Sequence, residues 1–138
     1  MNSEVNKTNI VGRILRLGIV GTYLGHGFLA LKINEHWIPL MTSVGFSRQA
    51  AVAIMPAIGI VDIAVAICIF IRPLPILLVW ATLWAFAAGF TRITAGESIW
   101  EFVERFAEWG IPLALLVYNG VPKTVNAFFH FFPEKKII

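Results

Sequence analysis

The sequence predicts an all-α integral membrane protein, a four-helix bundle with a short interfacial helix at its C-terminal end. Composition supports this fold class, because 58% of the 138 residues are hydrophobic and only 14% are charged. Soluble domains carry roughly 25% charged residues, and a domain this small has too much surface for its volume to bury so many apolar side chains. Composition therefore excludes an ordinary soluble enzyme and a disordered chain.

Four apolar segments of about 20 residues predict a single transmembrane domain over residues 1–138. Each is long enough to cross about 30 Å of hydrocarbon at about 1.5 Å per residue. Short turns with Pro or Gly separate them, and an aromatic tail follows that predicts a helix lying on the inner leaflet. The predicted spans cover about 14–33, 49–71, 74–95 and 99–118, and the interfacial tail covers about 121–132.

The basic residues flank the spans unequally, which predicts that both termini lie in the cytoplasm. Seven Lys and Arg residues fall on the side of the termini and four on the other side. Because these residues anchor membrane spans, the net charge of +3 does not indicate nucleic-acid binding. The compact loops and the absence of a cleavable signal favour a bacterial inner membrane. The seven residues are Lys7, Arg13, Arg16, Arg72, Lys123, Lys135 and Lys136.

Small residues recur on one stripe of the first span, where Gly18, Gly21 and Gly25 share a helical face. Gly21 and Gly25 have the GxxxG spacing that lets two membrane helices approach closely. We expect this face to pack against a neighbouring helix.

The start of the fourth span, residues 100–109, is the most heavily charged segment. Its ionisable side chains are spaced i, i+3, i+4 and i+7, so in a continuous helix they share one face. The alternative is an amphipathic surface helix followed by a later start of the span. Residues 110–118 alone are too short to cross a membrane, which favours the continuous helix. The four side chains are Glu101, Glu104, Arg105 and Glu108.

Besides Arg16 and Lys32 near the ends of the first span, three further ionisable residues fall within the apolar segments, where charges are costly and usually face the bundle interior. Asp62 has no polar neighbour within its own span, so it needs a partner on another helix or stays protonated; a structural hydrogen bond is the alternative to a functional role. His26 lies between two glycines, either as a ligand-binding residue or as a hydrogen-bonded packing residue. Arg92 is expected to pair with a glutamate of the fourth span or to extend to the interface.

With the termini inside, these residues converge on the outer half of the bilayer and predict one polar pocket open to the outer face. Its carboxylates exceed its arginines by two, so it requires protonated carboxylates, a cationic histidine, a cationic ligand, a metal or water. Glu104, Glu108 and Asp62 are predicted to carry protons in a relay. The predicted ligand-binding residues are His26, Arg92, Glu101, Arg105 and Trp109.

Other redox and metal chemistry finds little support in the sequence. A bis-histidine haem needs two ligands at matched depth, but only His26 of the three histidines lies within a span. Cys68 is the single cysteine, so no intramolecular disulfide redox centre is expected. A metal site of His26 with Glu101 or Glu104 has no ligand-spacing motif, and no metal is predicted.

Several of these features occur together: Arg13 and Arg16 at the entry, a His-Gly pair in the first span, an Asp in the second and a charged start to the fourth. In this combination, over roughly residues 12–118, the chain resembles the DoxX-like family of small four-span membrane proteins. The resemblance implies a left-handed four-helix membrane bundle and a small membrane subunit of a thiosulfate:quinone oxidoreductase. Residues 100–109 are more heavily charged than the family pattern. The residues that carry over are His26, Gly27, Lys32 and Asp62.

These observations predict a small integral membrane subunit of a quinone-linked oxidoreductase system, whose pocket holds a quinone or a similar small ligand. Electrons would come from a partner, because the chain has no evident redox centre. The expected partners are membrane lipid, another membrane or membrane-associated redox subunit and, as an open option, a second copy of the chain. The alternatives are a membrane assembly factor or scaffold and a small-molecule or ion carrier. The aromatic residues expected to wall a quinone ring are Tyr23, Trp84, Phe90 and Trp109.

Overall fold

The computed structural model describes residues 2–132, with side chains from Ile10 onward. In that range every regular element is a helix and there are no strands, which confirms the all-α prediction. Lys135 and Lys136, two of the seven basic residues that predict cytoplasmic termini, lie outside the described residues, as does the side chain of Lys7. The α-helices are α1 (Asn2–Leu31), α2 (Ile38–Thr42), α3 (Arg48–Ile71), α4 (Pro75–Thr94), α5 (Ile99–Val103) and α6 (Phe106–Asn119), and 3-10 helices cover Glu35–Trp37 and Asn126–Phe129.

In the part of the chain that the structure describes, three helices are long and apolar enough to cross a membrane: Ile10–Leu31 within α1, Arg48–Ile71 and Pro75–Thr94. Large apolar side chains on each of them point outward, including Ile14, Ile60 and Leu83, which are all more than 60% exposed. Water would penalise such a surface, whereas lipid tails suit it. The chain is therefore an integral membrane protein by the length and surface of these helices.

Local sequence accounts for the helix boundaries on either side of the short loops. The Ser47 hydroxyl accepts a hydrogen bond from the Ala50 amide and caps α3. Pro75 occupies the first turn of α4, where its missing N–H is no loss. The Ser98 hydroxyl accepts from the Trp100 amide and starts α5.

The single helix predicted over 99–118 is wrong, because the chain breaks between α5 and α6. The Arg105 amide donates to the Phe102 carbonyl and the Glu108 amide donates to the Arg105 carbonyl, both in the tighter i to i−3 pattern. Arg105 itself has φ −90° and ψ 8°, outside the helical region. The later helix start named in the alternative is therefore the one observed, at Phe106.

Four helices surround one main core. α1 packs against α3 and α6, and α4 packs against α6 and α3. Each helix contributes buried apolar side chains at helical spacing, as expected for the inward stripe of a packed helix. The buried members are Ile19, Val20, Tyr23, Val65, Ala66, Ile69, Leu78, Ala81, Leu115 and Leu116.

The closest approach of two helices lies between α1 and α3, and it does not use the expected glycine stripe. A Cβ added at Gly59 would lie 2.7 Å from the Gly27 carbonyl oxygen, so the backbones touch at these two glycines. Gly21 and Gly25 have no atom within 4 Å of an added Cβ. Of the glycine stripe, Gly18 lies against Ile111 of α6, with an added Cβ 3.4 Å from Ile111 Cδ1, whereas the Gly21–Gly25 face points outward in the described part of the chain.

The C-terminal tail also differs from the continuous interfacial helix predicted over 121–132. Only the four residues Asn126–Phe129 form a 3-10 helix, since Gly120 turns the chain with φ 98° and Pro122 follows it. The tail folds back instead: the Arg72 guanidinium lies 4.6 Å from the Phe131 ring centroid. Phe132 packs against the main core.

Candidate functional site

Four ionisable side chains meet near the C-terminal end of α1 and the N-terminal end of α6. We call them the polar cluster: His26, Glu104, Arg105 and Glu108. Glu108 Oε1 accepts a 2.8 Å hydrogen bond from Arg105 Nη1 and lies 3.9 Å from His26 Nε2. Glu104 Oε1 lies 3.7 Å from Arg105 Nη2 and is largely exposed. Glu108 therefore lies between the Arg105 guanidinium and the His26 imidazole, and Glu104 lies at the exposed edge of the cluster.

The break between α5 and α6 positions two members of the polar cluster. Arg105 is the residue that precedes α6, and Glu108 lies in the first turn, where the helix dipole favours a carboxylate. The Trp37 ring lies edge-on to the His26 imidazole, with centroids 5.5 Å apart and an interplanar angle of 86°. The side chains of His26, Arg105 and Glu108 remain 31%, 24% and 21% exposed, so a small ligand has access to the cluster.

Arg92 pairs outside the polar cluster, which corrects the expectation of a glutamate in the fourth span. Its Nη1 donates a 2.8 Å hydrogen bond to Glu97 Oε2. The cause is the end of α4: Gly96 has φ 82°, and the Glu97 amide donates to the Arg92 carbonyl at 3.0 Å. This turn at the end of α4 already fixes the backbone between Arg92 and Glu97, so their side chains are held next to each other.

Trp109 belongs to an aromatic group beside the cluster. Its ring centroid lies 4.4 Å from that of Phe106 and 5.7 Å from that of Phe86. The Trp109 indole N–H is buried without an acceptor in the described part of the chain, and so is Nε of Arg105. Unmatched donors on residues four apart in the chain are costly in an apolar site and suit a ligand that brings acceptor oxygens.

The remaining predicted residues do not join the polar cluster through direct contacts of the described side chains. Glu101, on α5, is half-buried and forms no ion pair within residues 10–132. Tyr23 is a core residue, Trp84 stacks on Trp80 of the same helix, and Phe90 contacts the Phe102 ring. These aromatic side chains do not form one wall around a ring-shaped ligand.

Asp62 occupies a separate, deeper position in α3. It is 3% exposed, and its carboxyl lies within hydrogen-bonding reach of Trp84 on α4. Oδ1 has no hydrogen-bond partner among the described residues. Trp84, predicted to wall a quinone ring, thus contacts the buried acid instead.

Sequence reasoning missed Trp37 and Glu97. The Gly-Glu pair after Arg92 is the pattern of a helix C-terminus, and it could have indicated the Arg92–Glu97 pair. No local pattern indicates Trp37, because its contact with His26 depends on how the loop after α1 folds back.

No group of three or more His, Cys, Asp or Glu side chains within the described residues is arranged to hold a metal ion. Comparison of the chain with protein-family models, with curated proteins and with solved structures finds no match.

Proposed function

We propose that the protein is a small integral membrane subunit of a quinone-linked oxidoreductase system and that the polar cluster binds the quinone head group. The observation that carries this proposal is the Glu108 carboxylate, which accepts from Arg105 at 2.8 Å and lies 3.9 Å from His26. A histidine held beside a carboxylate is a group that donates a proton and regains it. The resemblance to the DoxX-like family points to the same function.

The donors around the cluster fit a neutral ligand with carbonyl oxygens. Arg105 Nε and Trp109 Nε1 have no acceptor among the described residues, and the neighbouring Phe86 and Phe106 offer apolar surface for a ring. When bound, a quinone takes up two electrons and two protons, and the electrons come from a partner subunit. The chain's own residues orient the carbonyl groups and supply protons: His26 donates, and Glu108 receives the next proton from water at the exposed edge.

The proposal also covers the membrane topology. At about 1.5 Å per residue, the 14 residues of α6 span about 21 Å, less than the hydrocarbon thickness. Together α5, the turn and α6 complete a fourth crossing beside α1 and α4. The basic residues at the opposite end from the polar cluster favour cytoplasmic termini and a bacterial inner membrane.

Binding of a short-chain ubiquinone analogue to the detergent-solubilised protein, followed by tryptophan fluorescence quenching, tests the proposal. We expect E108Q to weaken binding about tenfold or more, because hydrogen bonds to charged groups contribute about 1.5–3 kcal/mol. H26N should weaken binding in the same direction. The matched control is E35Q, since Glu35 is an exposed glutamate on the loop after α1.

Equal affinity of E108Q, E35Q and the unaltered protein would exclude a role of the polar cluster in quinone binding. If no quinone binds and a membrane protein copurifies instead, the assembly-factor alternative replaces the proposal. If uptake of a cation into vesicles occurs without quinone binding, the carrier alternative replaces it.

A further inference from the structure

The carboxyl group of Asp62 lies inside the helix bundle with no counter-charge. It is 3% exposed, and no cationic side chain within residues 10–132 forms an ion pair with it. Trp84 lies within hydrogen-bonding reach of the carboxyl, while Oδ1 has no partner in the described part of the chain. An ionised carboxylate in this position would be a buried charge without compensation, which costs several kcal/mol.

The crossing of α1 and α3 places Tyr23 about one turn from Asp62 along the bundle. An added Cβ at Gly27 would meet both Gly59 and Ile63, and one at Gly59 would meet Gly27 and Leu31, so the two helices run antiparallel. One turn below Gly27 on α1 is Tyr23, and one turn beyond Gly59 on α3 is Asp62. Ile63, which meets Gly27, is the residue after Asp62, so Asp62 lies near the level of Gly27 and Tyr23 lies one turn from it along α1.

Tyr23 connects this level to the polar cluster. Its side chain is buried and its hydroxyl donates a 2.7 Å hydrogen bond to the Ala81 carbonyl. The phenol oxygen keeps lone pairs that can accept a hydrogen bond from a protonated carboxyl. Trp84, the neighbour of Asp62, lies one turn from Ala81 on α4, and His26, which is 3.9 Å from Glu108, lies one turn from Tyr23 on α1.

We propose that Asp62 is a membrane-embedded acid that holds an exchangeable proton and that Tyr23 links it to the polar cluster. In an exchange step, the two side chains turn so that the Tyr23 oxygen accepts the Asp62 proton while its own hydroxyl proton leaves the Ala81 carbonyl for Glu108. Asp62 is ionised until a proton returns by the same route. The phenol is neutral before and after the step. This inference does not require a quinone, and it holds for any ligand or partner of the polar cluster.

Asp62 is the only aspartate in the sequence, so aspartate labelled with ¹³C at its side-chain carboxyl reports on this group alone. Infrared spectra of the labelled protein in lipid bilayers at neutral pH should show the isotope-shifted carbonyl band of a protonated acid. The band should shift again when D2O replaces H2O and should be absent in D62N. Carboxylate bands alone from the labelled group would overturn the proposal.

The link through Tyr23 has its own readout, the rate at which the labelled band shifts after transfer to D2O. We expect Y23F to slow this exchange several-fold and to move the band, since the phenol oxygen is lost. The control is Y118F, the other tyrosine, which packs against Gly12 at the far end of α1. E108Q should slow exchange while leaving the band in place, which serves as a second test if Y23F does not fold.

Unchanged exchange in Y23F and E108Q would refute the link while leaving the protonated acid in place. Failure of quinone binding would leave the labelled band unaffected, so the two proposals fail separately.

Discussion

Replacing Gly59 by alanine probes the point where the backbones of α1 and α3 touch. The new Cβ would lie 2.7 Å from the Gly27 carbonyl oxygen and 2.9 Å from the Leu31 amide nitrogen. Both of these atoms belong to the backbone, so a side-chain rotation cannot relieve the contact. The helices must move apart, and the apolar contacts on either side of the crossing weaken with them.

The size of the effect follows from two opposing terms. Overpacking of a close contact costs about 1–3 kcal/mol, whereas alanine gains about 1 kcal/mol over glycine in helix propensity. G21A has only the gain in helix propensity, because no atom of the described residues lies within 4 Å of its added Cβ. We therefore expect G59A to be less stable than G21A by about 1–3 kcal/mol, towards the upper end because the obstacle is backbone.

Unfolding in mixed micelles with increasing dodecyl sulfate, followed by far-ultraviolet circular dichroism, measures this difference. G27A serves as a companion variant, because its Cβ would lie 2.9 Å from the Gly59 carbonyl oxygen. Both G59A and G27A should unfold at lower detergent fractions than G21A. If G21A proves the most destabilised of the three, the α1–α3 crossing described above is incorrect.

Three further effects should be measurable by the same unfolding assay or by proteolysis. Y23F should cost about 1 kcal/mol, because it removes the buried hydrogen bond from the hydroxyl to the Ala81 carbonyl; no loss would contradict that bond. Removing the partly exposed Arg92–Glu97 pair with R92Q should cost less than about 1 kcal/mol, and a larger loss would show a structural role. R72A should speed trypsin cleavage of the tail through loss of the Phe131 contact, and unchanged cleavage would show that the contact does not hold the tail.

The three long apolar helices were predictable because each apolar residue along them adds to the same hydropathy signal. A run of some twenty apolar residues bounded by Pro, Gly and Ser leaves few alternatives, and α3 at Arg48–Ile71 differs from its predicted bounds by one residue. The glycine contact was not predictable from one segment. Gly59 forms it with Gly27, and the periodicity of either helix alone does not show which face meets the other.

The break before α6 shows why charge spacing did not predict helix continuity. The spacing of Glu101, Glu104, Arg105 and Glu108 suits a helix, but a tight turn keeps Arg105 and Glu108 equally close. Depth along the spans was the more reliable guide, since it anticipated that His26 and Glu108 would meet. Arg92 did not join these residues. It pairs with Glu97, five residues away, and such a local pair loses less conformational entropy than a pair with a side chain on another helix.

The charge around the polar cluster bears on which substrate it suits. Between residues 92 and 108 the chain carries four carboxylates and two guanidinium groups. An anion such as thiosulfate, which the family resemblance implies, would meet an excess of negative charge in a medium that screens poorly. A neutral quinone avoids that repulsion, and its carbonyl oxygens suit the unmatched donors of Arg105 and Trp109. We expect thiosulfate at millimolar concentration not to displace the ubiquinone analogue, and competitive displacement would assign the cluster to an anion instead.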